Sequence, residues 1–175
     1  MPSDVRWLSG GEAESWLDLM ALVELLPSAL DAQLERDADM NFFEYLTLAQ
    51  LAAAPDRVLR VSQLAAETNA TPARLSRVVS RLEKQGLLVR EPDAADGRGR
   101  LVRLLDPGVA RLAEAAPGHV AMVHRLFADR LTATQARELA ATCRRLLAGL
   151  DPDREVLART RIGAGGRPGL SSPPA

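Results

Sequence analysis

Apolar side chains recur with a helical period over most of this chain. Residues 12–38 lack glycine and favour alanine, leucine, glutamate and arginine, which predicts a long first helix. Pro27 lies inside this segment, so we expect a kink or a break just before it. A second helix is predicted over residues 41–54, with Asn41 as its N-cap and Pro55 as its end. The N-terminal part of the chain is therefore predicted to be helical.

Two further helices, joined by a turn, are predicted in the middle of the chain. The first is a short helix near Val61, and the second opens at Thr71-Pro72. Threonine accepts the capping hydrogen bond, and proline suits the first helical position because no backbone N–H is needed there. Apolar residues at i, i+3, i+4 and i+7 of the second helix form one face suited to burial. They are Leu75, Val78, Val79 and Leu82.

The same helix carries a basic stripe at i, i+3, i+7 and i+10, roughly 130° away from the apolar face at about 100° per residue. The stripe consists of Arg74, Arg77, Arg81 and Lys84. Glu83 is the single acidic residue between Thr71 and Leu88. A helix that is packed on one side and cationic on the other is suited to lie against phosphates. The alternative is an ordinary solvated face, which the near absence of acidic residues disfavours.

A charged hairpin follows this helix. Strand-like segments 87–90 and 100–105 flank residues 91–99, which are rich in turn formers and too polar at their tip to be buried. The run 58–61 is a candidate third strand. Helix, turn, basic helix and hairpin in this order are typical of a winged helix-turn-helix, which places one helix in a DNA groove. We predict a mainly α fold with a small β-hairpin wing (α+β), flanked by N- and C-terminal dimerisation helices.

Here the chain resembles the MarR (multiple-antibiotic-resistance regulator) family of bacterial transcription factors. The matching residues are Val61-Ser62-Gln63-Leu64-Ala65, Leu75-Ser76-Arg77-Val78-Val79-Ser80-Arg81-Leu82-Glu83-Lys84-Gln85-Gly86-Leu87-Leu88 and Asp96-Gly97-Arg98. The resemblance implies a DNA-binding homodimer in which the N- and C-terminal helices of two chains interdigitate. It also implies a wing in which Arg98 enters the minor groove while Asp96 holds the loop.

One departure from the family pattern follows the second wing strand. Where the family usually has Leu-Thr-x-x-Gly, this chain has Leu105-Asp106-Pro107-Gly108. Aspartate caps helices as threonine does, and proline fits the next position. We therefore expect Asp106 to cap the helix that follows.

The predicted DNA contacts divide into base-reading and backbone-binding residues. Ser76, Arg77 and Ser80 are expected at base edges, and the other cations of the basic helix mainly at phosphates. The full set of predicted DNA-binding residues is Thr71, Arg74, Ser76, Arg77, Ser80, Arg81, Lys84, Arg90, Asp96, Arg98 and Arg100. Two copies of helix 72–86 are expected in successive major grooves about 34–36 Å apart, on a roughly palindromic site of double-stranded DNA.

The net charge of −1 conceals a strong asymmetry along the chain. Residues 1–56 carry a net charge of −9, residues 57–104 of +5 and residues 105–175 of +3. The positive field is thus concentrated on the proposed DNA-binding lobe. We expect the acidic N-terminal segment to face away from DNA.

The N-terminal helix is expected to need a partner chain. From Trp16 to Leu26, nine of eleven residues are apolar. A helix that is apolar all round must be covered on every side, which a small winged-helix domain cannot do alone. A second copy of the chain is the natural cover, so a homodimer is predicted.

Two helices are predicted after the wing. The first spans residues 107–130 with a break at Pro117-Gly118. The second opens with the capping box Thr132-x-x-Gln135. Its apolar stripe consists of Leu139, Cys143, Leu146, Leu147 and Leu150.

These elements divide the chain into four parts. Residues 1–56 hold the N-terminal dimerisation helices, 57–105 the winged lobe and 106–162 the C-terminal dimerisation helices. Residues 163–175 have the composition of a linker and are expected to form a mobile tail.

Four residues near the N-terminus are candidates for an effector crevice. In the family that the chain resembles, small aromatic acids and phenols often bind between the dimer helices and the winged lobe. The candidates are Trp16, Met20, Phe43 and Tyr45. The alternative is that they are plain core or interface residues, in a DNA-binding protein without an effector.

No metal site, cofactor or catalytic centre is predicted. His119 and His124 are five residues apart, which is not the spacing of a metal-binding pair on a helix. Cys143 is interpreted as a buried structural thiol because it lies on an apolar stripe. No nucleophile pattern is present, so we predict a regulator and not an enzyme; a winged-helix protein-interaction module is the alternative.

The N-terminal residues lack a signal-peptide pattern. The longest apolar stretch is too short to cross a membrane. These features favour the cytoplasm.

Overall fold

The structure of the protein is a computed structural model that describes residues 5–93 and 99–157. The helices in these residues are α1 (Gly10–Ala38), α2 (Phe42–Ala53), α3 (Val61–Glu67), α4 (Pro72–Lys84), α5 (Asp106–Leu126) and α6 (Ala133–Leu150). The strands are β1 (Val58–Arg60), β2 (Leu88–Pro92) and β3 (Arg100–Leu104). They form an antiparallel sheet in the order β1-β3-β2. The predicted mainly α fold with a hairpin wing is therefore confirmed.

Helix α1 passes through Pro27 as one element, so a break at this residue does not occur. Proline removes one N–H from the helical ladder and leaves the carbonyl four residues earlier without its donor. That carbonyl belongs to Val23, which lies in an exposed part of the helix where water can replace the donor. The helix ends at Ala38, and its C-cap residue Asp39 has a left-handed backbone conformation with φ of 42°.

Helix α2 has the predicted N-cap. Asn41 Oδ1 accepts a hydrogen bond from Glu44 N at 2.8 Å, and Glu44 Oε2 accepts one from Asn41 N at 3.1 Å. This reciprocal pair fixes the first turn of α2. Phe42 N also donates to Asp31 Oδ1 at 2.6 Å, so the start of α2 is tied to α1.

The core lies between the end of α1, helices α2, α3 and α4, the sheet and the first half of α5. On α4, the predicted apolar residues Leu75, Val79 and Leu82 are buried, and Val78 packs partly buried against the same cluster. Because this face is anchored in the core, the opposite side of α4 must point outward. Burial of each large apolar side chain contributes roughly 1.5–3 kcal/mol, which fixes the orientation of the helix.

The sheet extends slightly beyond its predicted limits on one side. The candidate third strand is present as β1, with Leu59 opposite Val102, although Val61 already belongs to α3. Glu91 and Pro92, expected in the turn, continue β2. The guanidinium of Arg103 on β3 holds both carboxylate oxygens of Glu91, at 2.9 and 3.0 Å, which supports the longer pairing.

The start of α5 differs from the expectation for Asp106. This residue is the first helical residue, and Leu105 is the N-cap, without a side-chain capping bond. The Asp106 carboxylate instead accepts a hydrogen bond from Arg57 Nη1 at 2.8 Å. Two residues on, Gly108 allows close contact: a Cβ there would lie 2.3 Å from the carbonyl oxygen of Leu87. The helix therefore packs directly on the base of the wing.

The break predicted at Pro117-Gly118 was wrong, because α5 continues through both residues. An added Cβ on Gly118 would lie 3.0 Å from Gln33 Nε2, so α5 lies tightly against α1 there. This packing outweighs the local weakness of the Pro-Gly pair. The helix ends at Leu126, and a short 3₁₀ turn follows at Ala128–Arg130.

Helix α6 starts at the predicted capping box. Gln135 N donates to Thr132 Oγ1 at 3.3 Å, and Thr132 N donates to Gln135 Oε1 at 2.9 Å. Its apolar stripe is solvent-facing in the single chain, so Cys143 is exposed and not buried as expected. The reason is that no other part of the described chain covers this side of α6. Beyond the helix, Leu157 N donates to the carbonyl of Glu67 at 2.9 Å, which returns the chain to α3.

The large apolar residues between Trp16 and Leu26 of α1 are also largely uncovered. Trp16 is 52% exposed, Leu22 62% and Leu25 68%, and Leu150 at the end of α6 is 82% exposed. Contiguous exposed apolar surface of this kind is typical of protein–protein contact sites. The predicted tail, residues 163–175, and the wing-tip residues Asp96 and Arg98 lie outside the described residues.

Candidate nucleic-acid interface

Helix α4 presents the predicted basic face to solvent. Its start is fixed locally: Arg74 N donates to Thr71 Oγ1 at 3.3 Å, and Pro72 occupies the first helical position. The residues that project from the helix on its solvent side are Arg74, Ser76, Arg77, Arg81 and Lys84, all exposed. A stripe of cations on a helix anchored in the core is a suitable surface for a polyanion.

Grooves adjoin this face among the described residues. One of about 430 Å³ runs along α4 and is lined by Ser76, Arg77, Ser80, Arg81, Lys84 and Gln85. Another of about 460 Å³ lies where α3, α4 and the wing strands meet; among the residues lining it are Arg60, Ser62, Ser76, Arg90 and Arg100. The fold thus brings the predicted residues of α4 together with Arg90 and Arg100 of the wing on one basic surface.

Two of the cations on α4 are held by α2. The guanidinium of Arg74 lies over the Phe43 ring, 4.1 Å from its centroid. Arg81 Nε lies 3.1 Å from Glu44 Oε1, and the Glu44 side chain is 2% exposed. The Arg81–Glu44 contact is an ion pair and not a well-directed hydrogen bond, because the N–H does not point at that oxygen. These side chains are therefore restrained before any DNA is present.

The remaining residues of the face are freer. Arg77 Nε donates to the carbonyl of Ala73, one turn earlier on the same helix, at 3.4 Å. Among the described residues, the Lys84 side chain makes no hydrogen bond or ion pair. Ser76 is exposed and lines the same groove. Arg77, Lys84 and Ser76 therefore need to break few contacts in order to reach a ligand.

Arg90 connects the wing to α4, the helix predicted to enter the DNA groove (the recognition helix). Its Nε lies 2.9 Å from Glu83 Oε2, its backbone N donates to Glu83 Oε1 at 2.9 Å, and its Nη2 donates to Ser80 Oγ at 3.0 Å. The Arg90 side chain, and after it the backbone N–H, hold the pKa of the Glu83 carboxyl below its usual value. Ser80, predicted to contact a base, is thus already a hydrogen-bond partner of the wing.

The base of the wing is fixed by residues that the sequence did not point to. Arg60 Nε donates to Asp93 Oδ2 at 2.8 Å, and the Asp93 side chain is 7% exposed. Asp93 N also donates to the carbonyl of Gly99 at 3.2 Å, which closes the hairpin at this level. Arg60 ends β1, and its partner is 33 residues away, so only the folded sheet shows that they meet.

The four residues predicted for an effector crevice do not form one group within a single chain. Phe43 and Tyr45 are buried on α2, whereas Trp16 is exposed on α1. The start of α2 is tied to Asp31, and at 1.5 Å rise per residue Trp16 lies about 22 Å and Met20 about 16 Å further along α1. A crevice that includes all four therefore requires a second chain.

Tyr45 faces His119, which the sequence analysis considered only as a metal ligand. The ring of His119 lies 4.4 Å from that of Tyr45 and stacks on Phe42 at 5.9 Å. Burial raises the pKa of Tyr45 and lowers the pKa of His119. His119 Nδ1 and Gln33 Oε1 are buried without hydrogen-bond partners among the described residues. This is a polar cluster between α1, α2 and α5.

The described residues hold neither a metal-binding cluster nor a membrane-spanning helix. No group of three or more His, Cys, Asp or Glu side chains is arranged to hold a metal ion there. In the same part of the chain, none of the helices has the length and apolar character needed to cross a membrane.

Comparison with known proteins identifies the family. The family model described as MarR family matches residues 38–99, which include the elements from α2 to β2. The chain is also similar to Sco3205, a MarR family transcriptional regulator from Streptomyces coelicolor, in a crystal structure with DNA. The identity is 38%, the match covers 90% of this chain and 98% of that chain, and the TM-score is 0.80. The chain belongs to the MarR family.

Other solved transcriptional regulators have the same fold. AbsC, another MarR family regulator from Streptomyces coelicolor, is 29% identical over 83% of this chain and 98% of its own, with a TM-score of 0.78. The organohalide-sensing regulator RdhR-CbdbA1625, in its 2,4-dichlorophenol-bound form, is 17% identical over 89% of this chain and 94% of its own, with a TM-score of 0.70. No curated protein sequence matches the chain significantly.

As a MarR family member, the protein is a DNA-binding transcriptional regulator and not an enzyme. The resemblance seen in the sequence around α3, α4 and the wing is confirmed.

Proposed function

We propose that the protein is a homodimeric repressor that binds a roughly palindromic operator in the cytoplasm. The observation that carries this proposal is the outward basic face of α4, which is continuous with the basic groove beside the wing. Two such helices in one dimer would enter successive major grooves about 34–36 Å apart. The relative Sco3205, which was crystallised with DNA, supports this mode of binding.

The residue roles follow from how freely each side chain can move. Ser76 and Arg77 are proposed to contact base edges, because their side chains are exposed and make few hydrogen bonds. Lys84 is proposed to bind phosphate as a mobile point charge. Arg74 and Arg81, which α2 restrains, are proposed to contact phosphates at fixed positions. Thr71, Ser80, Arg90 and Arg100 complete the interface, together with Asp96 and Arg98 of the wing tip.

The homodimer is proposed from the uncovered apolar surface of α1 and α6. Leu22, Leu25 and Leu150 are more than half exposed in the single chain. A partner that covers these residues would stabilise the assembly by roughly 25 cal/mol for each Å² of apolar surface that it buries. A second copy of the chain, with the same apolar helices, buries both sets at once.

An effector is proposed to be a small aromatic or phenolic molecule. The support is that the Tyr45 ring lies against His119 where α2 meets α5, and that one structural relative was solved with 2,4-dichlorophenol. Phe43, the other candidate on α2, lies under Arg74 of α4. In this proposal Trp16 and Met20 come from the other chain of the dimer. The ligand would favour a dimer whose recognition helices are wrongly spaced for DNA.

The test is binding of the purified protein to duplexes selected from a random pool, followed by fluorescence anisotropy. We expect tight binding to the selected duplex, weaker binding to random duplex and a strong dependence on salt. Arg145→Ala is the matched control for Arg77→Ala, because Arg145 is exposed on the side of α6 away from its apolar stripe. If no duplex binds, the alternative of a protein-interaction module replaces this proposal.

A further inference from the structure

Glu83 is an acidic residue on a surface proposed to face DNA, where its negative charge is unexpected. It is the only acidic residue of α4 and is followed directly by Lys84. A free carboxylate at this position would repel phosphates and weaken the electrostatic attraction that dominates DNA affinity. If Glu83 contributes to DNA binding, its contacts within the protein must outweigh this repulsion.

The carboxylate of Glu83 is occupied on both oxygens by one residue of the wing. Oε1 accepts the backbone N–H of Arg90 at 2.9 Å, and Oε2 lies 2.9 Å from Arg90 Nε and 2.5 Å from Nη2. Main chain and side chain of Arg90 are thus held by the same group. This contact joins strand β2 to the last turn of α4.

The guanidinium of Arg90 also reaches back along α4. Its Nη2 donates to Ser80 Oγ at 3.0 Å, one turn before Glu83. Nε and Nη2 are used by Glu83 and Ser80, whereas Nη1 makes no hydrogen bond among the described residues. Arg90 lines the groove where Arg60, Ser76 and Arg100 also lie. The free edge of the guanidinium is thereby placed at the junction of helix and wing.

The stability of the fold does not account for this arrangement. The side chains of Arg90 and Glu83 are 36% and 30% exposed, and ion pairs in contact with solvent contribute little to folding. What the pair does supply is geometry: a three-point contact restricts the side chain of Arg90 to one orientation.

We infer that Glu83 is a positioning residue for DNA binding, which acts through Arg90 and keeps the wing in register with the recognition helix. This inference rests on the proposed DNA-binding function. Glu83 touches no DNA in this account, and its negative charge is offset by the arginine that it holds. Its acidic side chain raises the affinity for DNA.

The test measures binding of the full-length protein to a selected duplex by fluorescence anisotropy. Glu83→Gln is expected to weaken binding by about three- to tenfold, because the charge-assisted contacts to Arg90 are lost. Asp56→Asn is the matched control: it also removes one negative charge from the DNA-binding lobe, and its exposed side chain lies in the turn before β1, away from α4. We expect this control to leave affinity unchanged or slightly raised.

Two further variants separate positioning from charge. Glu83→Asp keeps the charge but shortens the side chain, so it is expected to lose part of the affinity as well. In an Arg90→Ala background, Glu83→Gln is expected to have no additional weakening effect. Melting temperatures of all variants are expected to stay within a few degrees of the unmodified protein, because the pair is exposed.

The inference is overturned if Glu83→Gln binds as tightly as Asp56→Asn, or if its effect is undiminished without Arg90. Failure of the proposed function is a different result, in which the unmodified protein binds no duplex and Arg77→Ala changes nothing. If the unmodified protein binds and Arg77→Ala weakens binding while Glu83→Gln does not, only the role of Glu83 is refuted.

Discussion

At the scale of single residues, the cations of α4 differ in how much freedom their contacts leave them. Arg74 lies over Phe43, and Arg81 is paired with the buried carboxylate of Glu44. Arg77 and Lys84 have no partner of this kind among the described residues. Arg74 and Arg81 are therefore held in fixed positions, which suits contacts with the DNA backbone. Arg77 and Lys84 can change conformation when DNA binds.

This difference predicts distinct effects for Arg77→Ala and Lys84→Ala. If Arg77 contacts a guanine, its loss is expected to cost about 1–3 kcal/mol on the selected site and less on random DNA. Loss of Lys84 is expected to weaken binding about equally on both and to lower the salt slope by about one unit. Anisotropy titrations at several salt concentrations measure both effects. Equal behaviour of the two variants on both duplexes would refute this division of roles.

The ion pair of Glu83 predicts a dependence of stability on pH. Its pKa is lowered in the folded state, so its contribution to stability is present above the unfolded value of about 4.3 and is lost as pH falls through the folded value. The unfolding free energy is therefore expected to fall less steeply below about pH 4.3 in Glu83→Gln than in the unmodified protein. An NMR titration should show the Glu83 pKa rising towards its ordinary value in Arg90→Ala. An unchanged titration in that variant would contradict the assigned cause.

At the scale of elements, the recognition helix is held from three sides. The core anchors its apolar face, α2 restrains Arg74 and Arg81, and the wing is tied to Ser80 and Glu83 through Arg90. Helix α5 then packs on the base of the wing at Gly108. A movement of α2 or α5 therefore has direct contacts through which it can displace the DNA-binding surface.

Gly108→Ala tests the contact between α5 and the wing. The added Cβ would lie 2.3 Å from the carbonyl oxygen of Leu87 and 2.5 Å from Leu104 Cδ1, so backbone must move. We expect a loss of about 1–3 kcal/mol of stability and a melting temperature lower by several degrees. Gly149→Ala is the matched control, because no atom lies within 4 Å of its added Cβ and alanine favours the helix. Equal melting temperatures for the two variants would show that α5 does not pack as described.

At the scale of the whole molecule, the single chain leaves apolar surface uncovered on α1 and α6. Sizing with light scattering at micromolar concentration is expected to give twice the chain mass. Charged substitutions at Leu22 or Leu147 are expected to abolish folding and association together, since obligate dimers often lack a stable monomer. Arg145→Ala is expected to leave the mass unchanged. A stable monomer of the unmodified protein would remove the basis for binding in two grooves.

Much of this fold could be predicted because its signals are local. Asn41, Thr71 and Thr132 cap helices through residues three positions away, and the buried face of α4 follows from its period. The continuity of α5 through Pro117 was not predictable, because it depends on packing against α1.

The same limit explains which site residues were missed. The pairs Arg60–Asp93 and Arg57–Asp106 join residues 33 and 49 positions apart, and Glu44–Arg81 depends on how α2 lies against α4. Glu83 was visible in the sequence only as an exception within a basic stripe. Its contacts with Arg90 could be seen only in the structure, because they depend on how the wing lies against α4.

In the proposed complex, two copies of α4 bind one duplex through successive major grooves. Hydroxyl-radical footprinting on a duplex selected from a random pool tests it most directly. We expect an enriched inverted repeat with two protected segments whose centres are about 10 base pairs apart. A single unrepeated protected segment, or protection that ignores sequence, would contradict it.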